Sequence, residues 1–242
     1  MQAVILNSGM GSRMKELTED RHKSMVGIKE GLPLIVHQIQ VLSSCGIKDF
    51  IITTGYRAEQ LQGYVKDYFK DSYNFTFVYN PKYQETNYIY SLYLAKDIIN
   101  EDVLLLHGDL YFTKDIITDM QKKEGSCVVI DTTLPLPEKD FKARLDGHRI
   151  MQIGTYVKGK DCYACQPLYK LQKEFFDSWM EEMSRFCLEG NDKVYAEEAL
   201  NNRLQAIRLD PYDLKGRLCM EVDTKEDLTM LRTKIFKESD IK

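Results

Sequence analysis

Short apolar runs alternate along the chain with amphipathic stretches, and this alternation is its main signal. The runs QAVILN (2–7), DFIITTG (49–55), FTFVYN (75–80), DVLLLHGD (102–109) and CVVID (127–131) predict strands. Between them, LPLIVHQIQVLSSCG (32–46), RAEQLQGYVKDYF (57–69) and YIYSLYLAKDII (88–99) predict helices. In the first of these Ile35, Ile39 and Leu42 share one side, and Gly46 is a suitable C-terminal stop. Short, mostly apolar strands separated by helices are buried on both faces, so the expected fold is α/β with a doubly wound, mostly parallel sheet.

After Asp131 the pattern changes. LPLPEKD is a proline-bearing surface connection, and KARLDGHRIMQIG places a D-G turn between two strand-like arms, as in a hairpin. CYACQPLYKL (162–171) reads as a further strand, and KEFFDSWMEEMSRFCLEG (173–190) as a helix with Phe175, Trp179, Met183 and Phe186 on one core-facing stripe. VYAEEALNNRL (194–204) predicts a short helix and GRLCMEVD (216–223) a last strand, followed by a closing helix with Thr224 as its N-cap. No repeat, linker or low-complexity run divides the chain, so a single domain over 1–242 is expected.

Composition narrows the classes of partner. The chain has 242 residues, 43% of them hydrophobic, enough for a substantial core. A net charge of -4 and a pI near 5.7 argue against nucleic acid or an anionic membrane as the main partner. The opening residues already read as a strand, without a charged start and long apolar core, so neither a signal peptide nor a membrane span is expected and a cytoplasmic address follows. Six cysteines, at 45, 127, 162, 165, 187 and 219, are read as reduced. Cys162 and Cys165 form one C-x-x-C, but no second Cys/His pair accompanies it as tetrahedral zinc requires, so both are assigned to a buried strand.

The chemistry concentrates where strands stop, because ligands of open α/β sheets sit beyond the carboxyl ends of the strands. The first strand empties into Asn7-Ser8-Gly9-Met10-Gly11-Ser12-Arg13. This is not a dinucleotide fingerprint, since Met14 stands where the third glycine belongs, and no Gly-Lys-Ser/Thr ending makes it a Walker loop. Its two glycines let backbone N–H groups approach an anion, with Arg13, Arg21 and Lys23 adding charge. The fourth strand ends in His107-Gly108-Asp109 and the last in Glu221-Val222-Asp223. Carboxylates at two strand ends facing a basic glycine loop suit a hard divalent cation and a triphosphate.

These stretches resemble the nucleotidyltransferases that join a nucleoside triphosphate to a phosphorylated small molecule. The L-A-A-G-x-G-S/T-R opening of that family stands here as Leu6 to Arg13, its lysine stretch as Arg21-His22-Lys23-Ser24-Met25, and its E-I-D-T/S-x-E-D-L ending as EVDTKEDL. Gly55-Tyr56 and the aspartate of HGD also match, so the likeness covers nearly the whole chain. YNPKYQETNYIYSLYLAKDII (79–99) is similar to the N-x-K-Y…N-x-x-S-L-Y-x-A stretch of bacterial phosphocholine cytidylyltransferases.

The resemblance implies a GT-A-like, Rossmann-type nucleotidyltransferase fold with a nucleotide-binding part (1–131), an acceptor-binding part built from a β-hairpin and helices (132–215) and a closing strand and helix (216–242). It implies Mg²⁺ as cofactor, CTP and a phosphorylated or phosphonate small molecule as partners, and a monomer or homodimer. Asn7, Ser8 and Gly9, with Gly55 and Asn80, are then expected at the pyrimidine base, and Met10 among the nucleotide-binding residues. Gly11, Ser12 and Arg13 are expected around the β- and γ-phosphates, Lys23 at the α-phosphate, and Asp109 and Asp223 on the metal. Lys23, Arg13 and Asp109 form the implied catalytic set. Two departures matter: Asn-Ser replaces the usual Ala-Ala, and His22 sits where the family usually has proline.

His107 is expected to be a hydrogen-bonded structural histidine, because an already ionised acceptor needs no general base, and His37 to be packing. A cationic acceptor calls for aromatic faces and a carboxylate. Tyr83, Tyr88, Tyr90, Tyr163, Tyr169 and Glu198 are available, and Tyr195 and Glu197 are the pair assigned to the acceptor. A sugar 1-phosphate acceptor and a nucleotide sensor without catalysis are the alternatives. A D-x-D glycosyltransferase is disfavoured, because Leu110 and Tyr111 follow Asp109.

Overall fold

The computed structural model describes residues 1–239; the last three residues of the expected closing segment 216–242 lie outside the described residues. Among the described residues a nine-stranded sheet organises the fold. Strand β1 (Gln2–Asn7) runs parallel to both β4 (Asp49–Thr54) and β6 (Val103–His107), and β5 (Asn74–Tyr79) runs parallel to β4. The long β11 (Cys162–Leu171) joins this block to the rest, antiparallel to β6, β8 (Ser126–Asp131) and β9 (Lys142–Asp146). The D-G hairpin forms as expected between β9 and β10 (Arg149–Gly154), and β12 (Leu209–Asp213) closes the edge beside β8. Segment 132–215 therefore extends the same sheet.

Alternation along β1 explains why this strand lies at the centre. Val4 and Leu6 enter one core together with Ile89 and Leu92 of helix α3 (Tyr88–Ala95), while Ala3 and Ile5 enter the opposite core with Ile35 and Ile39 of α1 (Leu34–Ser44). The second core also holds Leu61 and Val65 of α2 (Ala58–Phe69) and Ile116, Ile117 and Met120 of α4 (Lys114–Lys122). On the first face, the expected stripe of α5 (Lys173–Leu188) is buried at Phe175, Trp179 and Met183, and Phe186 packs at its margin. Trp179 donates its indole N–H to the Ala196 carbonyl at 2.9 Å, fixing the start of α6 (Ala196–Asn201).

Several expectations shift. The run 102–109 is split: β6 stops at His107, the chain turns through Gly108 and Asp109, and β7 (Leu110–Phe112) leaves the main sheet to pair with β13 (Cys219–Glu221). Helix α3 ends at Ala95 rather than Ile99, and Leu32 and Pro33 form β3 against β2 (Gly27–Lys29) instead of opening α1. Helix α4 and strand β12 are missing from the expectation. β12 carries Pro211 between charged residues and reads as a loop, yet it lies at the sheet edge, where a residue without an N–H is tolerated. Helix α7 (Lys225–Ser239) begins just after Thr224, which caps it as expected. Among the described residues all six cysteines are free thiols, and no helix is long and apolar enough to cross a membrane.

Candidate active site

Three strand ends meet at one ammonium. Lys23 Nζ donates to Asp109 Oδ2 at 2.7 Å and also to Asp223 Oδ1. Asp223 Oδ2 in turn pairs with the Arg13 guanidinium at 2.7 Å. Burial opposes the charge on Lys23, but the two carboxylates outweigh it and hold its pKa above the usual lysine value. Burial likewise works against the Asp109 carboxylate, and Lys23 and His107 bring its pKa below the ordinary value. Asp109 Oδ1 is buried and makes no hydrogen bond.

Local structure places each of these groups. Gly11 sits at φ +62°, and a Cβ there would come within 2.6 Å of the Lys23 Cβ, so glycine is what lets the two segments touch. Gly108 is equally constrained, because a Cβ would lie 2.0 Å from Asn7 Oδ1. Buried Gln38 of α1 donates to the His107 and Leu110 carbonyls at 3.0 and 2.7 Å, pinning the turn that carries Asp109. Asp223 is set by a reciprocal cap on α7. The Asp227 N–H donates to Thr224 Oγ1 at 3.1 Å, and Asp227 Oδ2 accepts from the Thr224 and Asp223 N–H groups.

His22 takes a structural part. Its Nδ1 accepts from the Ser24 N–H at 3.2 Å, which leaves Nε2–H to donate to the Asn7 carbonyl at 2.9 Å. Burial pushes its pKa down to about 4, so the ring is neutral near pH 7.

Two clefts share Leu6, Gly9 and Asp109. The first, about 280 Å³, is lined by Asn7, Gly9 to Arg13, Lys23 and Asp223. The second, about 180 Å³, is lined by Ser8, Asn80, Tyr83, Ser91, Tyr88 and His107. Asn7 and Ser8 thus separate, as neighbours at a strand end do: Asn7 lines the lysine side and Ser8 the polar side. Gly55 lies beside Ser8, whose carbonyl accepts from the next N–H, that of Tyr56, at 3.3 Å.

Beyond Asp109 lies an aromatic cluster. The Tyr88 ring meets His107 edge-on at 4.7 Å and Tyr195 at 6.0 Å, and Phe141 stands at 5.1 Å from Tyr195. Behind it Glu197 is only 1% exposed; Tyr169 donates to its Oε1 at 2.6 Å and Tyr88 to its Oε2. Burial, then the Glu197 charge, raises both phenol pKa values well above the ordinary one. His107 Nδ1 faces Glu221 Oε1 at 3.5 Å. Burial disfavours its charge, but Glu221 and Asp109 carry its pKa above the usual histidine value.

A family model for nucleotidyl transferases matches residues 2–140. This chain belongs to that family. It is 38% identical over 116 residues to a choline-phosphate cytidylyltransferase of Haemophilus influenzae, which covers 48% of this chain and 47% of that protein. The chain therefore spans about half the length of that relative in the match. Over 94% of its length it is 26% identical to a CTP:phosphoglutamine cytidylyltransferase of Campylobacter jejuni, covering 98% of that protein. Its fold matches the solved structure of a CTP:phosphocholine cytidylyltransferase from Streptococcus pneumoniae with TM-score 0.74 at 23% identity, over 97% of this chain and 98% of that one.

Within this nucleotidyl transferase, the residues expected at the nucleotide and metal gather around the two clefts. Tyr195 and Glu197 do fall in one cluster, but Glu197 lies beneath Tyr88 and Tyr169. Tyr90 instead lies beneath the Lys82 ammonium, and Glu198 accepts from Tyr156 at 3.1 Å. His107, read from sequence as structural only, also lines the polar cleft and belongs with Asp109 and Glu221 to a group whose donor atoms lie within 4.8 Å of one another. Sequence reasoning misses Glu221, Phe141 and Gln38. The available signal for Glu221 is its i, i+2 spacing from Asp223 at a strand end, whereas nothing local marks Phe141 or Gln38.

Proposed function

We propose that the chain transfers a cytidylyl group from CTP to a phosphorylated or phosphonate small molecule bearing a cationic amine, releasing pyrophosphate. One observation carries the reading: the lysine-and-carboxylate cleft opens at Asp109 onto a polar cleft of base size, with aromatic rings and two carboxylates beyond. The cytidylyltransferase relatives support the choice of CTP.

In this reading the backbone N–H groups of Gly9 to Ser12 and the Arg13 guanidinium hold the β- and γ-phosphates. Lys23 turns from the carboxylates toward the α-phosphate and stabilises the charge that builds there. An oxygen of the acceptor's own phosphate forms the new P–O bond as the bond from the α-phosphorus to the pyrophosphate oxygen breaks. That oxygen is already ionised, so no side chain must remove a proton, and catalysis consists of positioning and charge stabilisation.

Asp109 and Asp223 would hold Mg²⁺. They fit a hard cation because both already converge on one ammonium and Asp109 Oδ1 lacks a partner. When bound, the ion supplies neutralisation of phosphate charge. At the acceptor end, the Tyr88, Tyr195 and Phe141 rings, backed by Glu197 and Glu221, suit an ammonium group.

The test is pyrophosphate release with Mg²⁺, crossing CTP, UTP, ATP, GTP and dTTP against phosphocholine, phosphoethanolamine, 2-aminoethylphosphonate, glycerol phosphate and glucose 1-phosphate. Turnover confined to CTP with an amine-bearing acceptor supports the proposal. Turnover only with glucose 1-phosphate replaces it with a sugar-nucleotide synthase, and CTP binding without any release replaces it with a sensor.

A further inference from the structure

Strand β5 ends the main sheet, and its outer edge is open. It pairs with β4 in an unbroken parallel ladder from Asn74 to Tyr79, and among the described residues no other strand meets it. The Asn74 N–H donates to the Lys48 carbonyl at 2.9 Å and the Asn80 N–H to the Thr54 carbonyl at 2.7 Å, so the even-numbered residues turn their backbone groups toward β4. In a parallel ladder the N–H and C=O of one residue point to the same side and those of the next residue to the other. Phe75, Phe77 and Tyr79 therefore direct both groups outward, and none of these groups has a hydrogen-bond partner among the described residues.

Nothing on the strand blocks pairing there. Proteins guard open edges with lysine, proline, a bulge or a very short strand. The stretch NFTFVYN (74–80) contains no charge and no proline, forms six residues of strand without a register shift, and is rich in β-formers. Phe75 and Phe77 are only partly covered by the core they pack against, and Tyr79 is 52% exposed.

We propose that this edge pairs antiparallel with the same edge of a second copy of the chain, about a two-fold axis at Phe77. Phe77 then exchanges N–H···O bonds with Phe77 of the second copy, and Phe75 does the same with Tyr79, so every outward group on the strand finds a partner. Moving the axis along the strand leaves Phe75 or Tyr79 facing a residue outside β5. On one face of the joined sheet, Phe77 lies beside its copy and the exposed Tyr79 ring covers Phe75, the kind of cross-strand aromatic pair that stabilises antiparallel strands. The same register brings Asp71, just before the strand, toward Lys82 of the second copy, just after it, and both side chains are exposed. Opposite charges thus meet on each side of the axis. Hydrogen bonds, rings and flanking charge all match the strand to itself, which selects a second copy over an unrelated chain.

Sedimentation velocity over a dilution series, with amide exchange followed by NMR, tests this on the full chain. The wild-type chain should sediment as a dimer when concentrated and dissociate on dilution. Thr76 is exposed and lies next to the axis, so Thr76→Lys sets two lysines against each other there and should weaken dimerisation on the order of tenfold or more, whereas Thr76→Val should leave it intact. The Phe75, Phe77 and Tyr79 amides should exchange on the order of tenfold faster in Thr76→Lys than in wild type. The Val78 amide, which faces β4 in both, should stay protected and report that the variant is folded. A wild-type chain that is monomeric at every concentration, a dimer of unchanged affinity in Thr76→Lys, or unprotected Phe75, Phe77 and Tyr79 amides in the wild-type dimer overturns the proposal.

Discussion

Lys23 and Asp109, 86 positions apart in the sequence, meet at 2.7 Å, and the same ammonium reaches Asp223 from 200 positions away. One positive charge thereby gathers the loop after β1, the end of β6 and the segment after β13. The contact also holds the lysine beside the carboxylates assigned to the metal, at the mouth of the glycine loop.

Replacing Lys23 with alanine should lower kcat by on the order of 10² to 10³, the usual cost of losing a donor aimed at developing charge. Steady-state pyrophosphate release checks it. Near-normal kcat in Lys23→Ala would remove the lysine from the mechanism.

Metal dependence follows from the Asp109 and Asp223 pair. EDTA should abolish turnover, and excess Mg²⁺ should restore it. Asp223→Asn should raise the Mg²⁺ concentration needed for half-maximal rate, since it removes charge while keeping a similar shape. Full activity in EDTA would contradict the assignment.

His22 makes stability depend on pH in a defined direction. Its folded pKa of about 4 lies below the usual histidine value of about 6.5, so between these values the unfolded chain binds the extra proton. Its contribution is fully present above pH 6.5 and is lost as pH falls toward 4, amounting to roughly 3 kcal/mol at most. Urea unfolding from pH 7 to 4 should show a shallower decline for His22→Asn than for wild type. Equal slopes would contradict this account of the ring.

Much of the site was legible because a glycine loop, a lysine and two strand-end aspartates are short motifs whose residue types match their chemistry. The sheet was legible for a similar reason, since β1 and β6 are continuous apolar runs. What sequence could not supply was pairing across distance. HGD reads as the end of a strand, but only the fold reveals that the next residues leave the sheet to meet β13. The sequence assigns Glu197 with Tyr195 to the acceptor, but its burial depends on Tyr88 and Tyr169 arriving from separate elements. The departure at Asn7 and Ser8 was visible, whereas its division between two clefts was not.

Trp179 links packing to acceptor binding. Trp179→Phe should cost about 1–3 kcal/mol, because the buried Ala196 carbonyl loses its donor. It should also raise KM for the acceptor more than for CTP, since α6 carries Glu197. Thermal unfolding with paired KM measurements checks both parts; an equal rise in the two KM values would sever the link.

The most direct test of the central claim is the specificity constant with CTP for phosphocholine set against glucose 1-phosphate, with the nucleotide product identified by mass. The account predicts a CDP-linked amino-alcohol and a strong preference for the amine-bearing acceptor. Comparable or greater turnover of glucose 1-phosphate would contradict it.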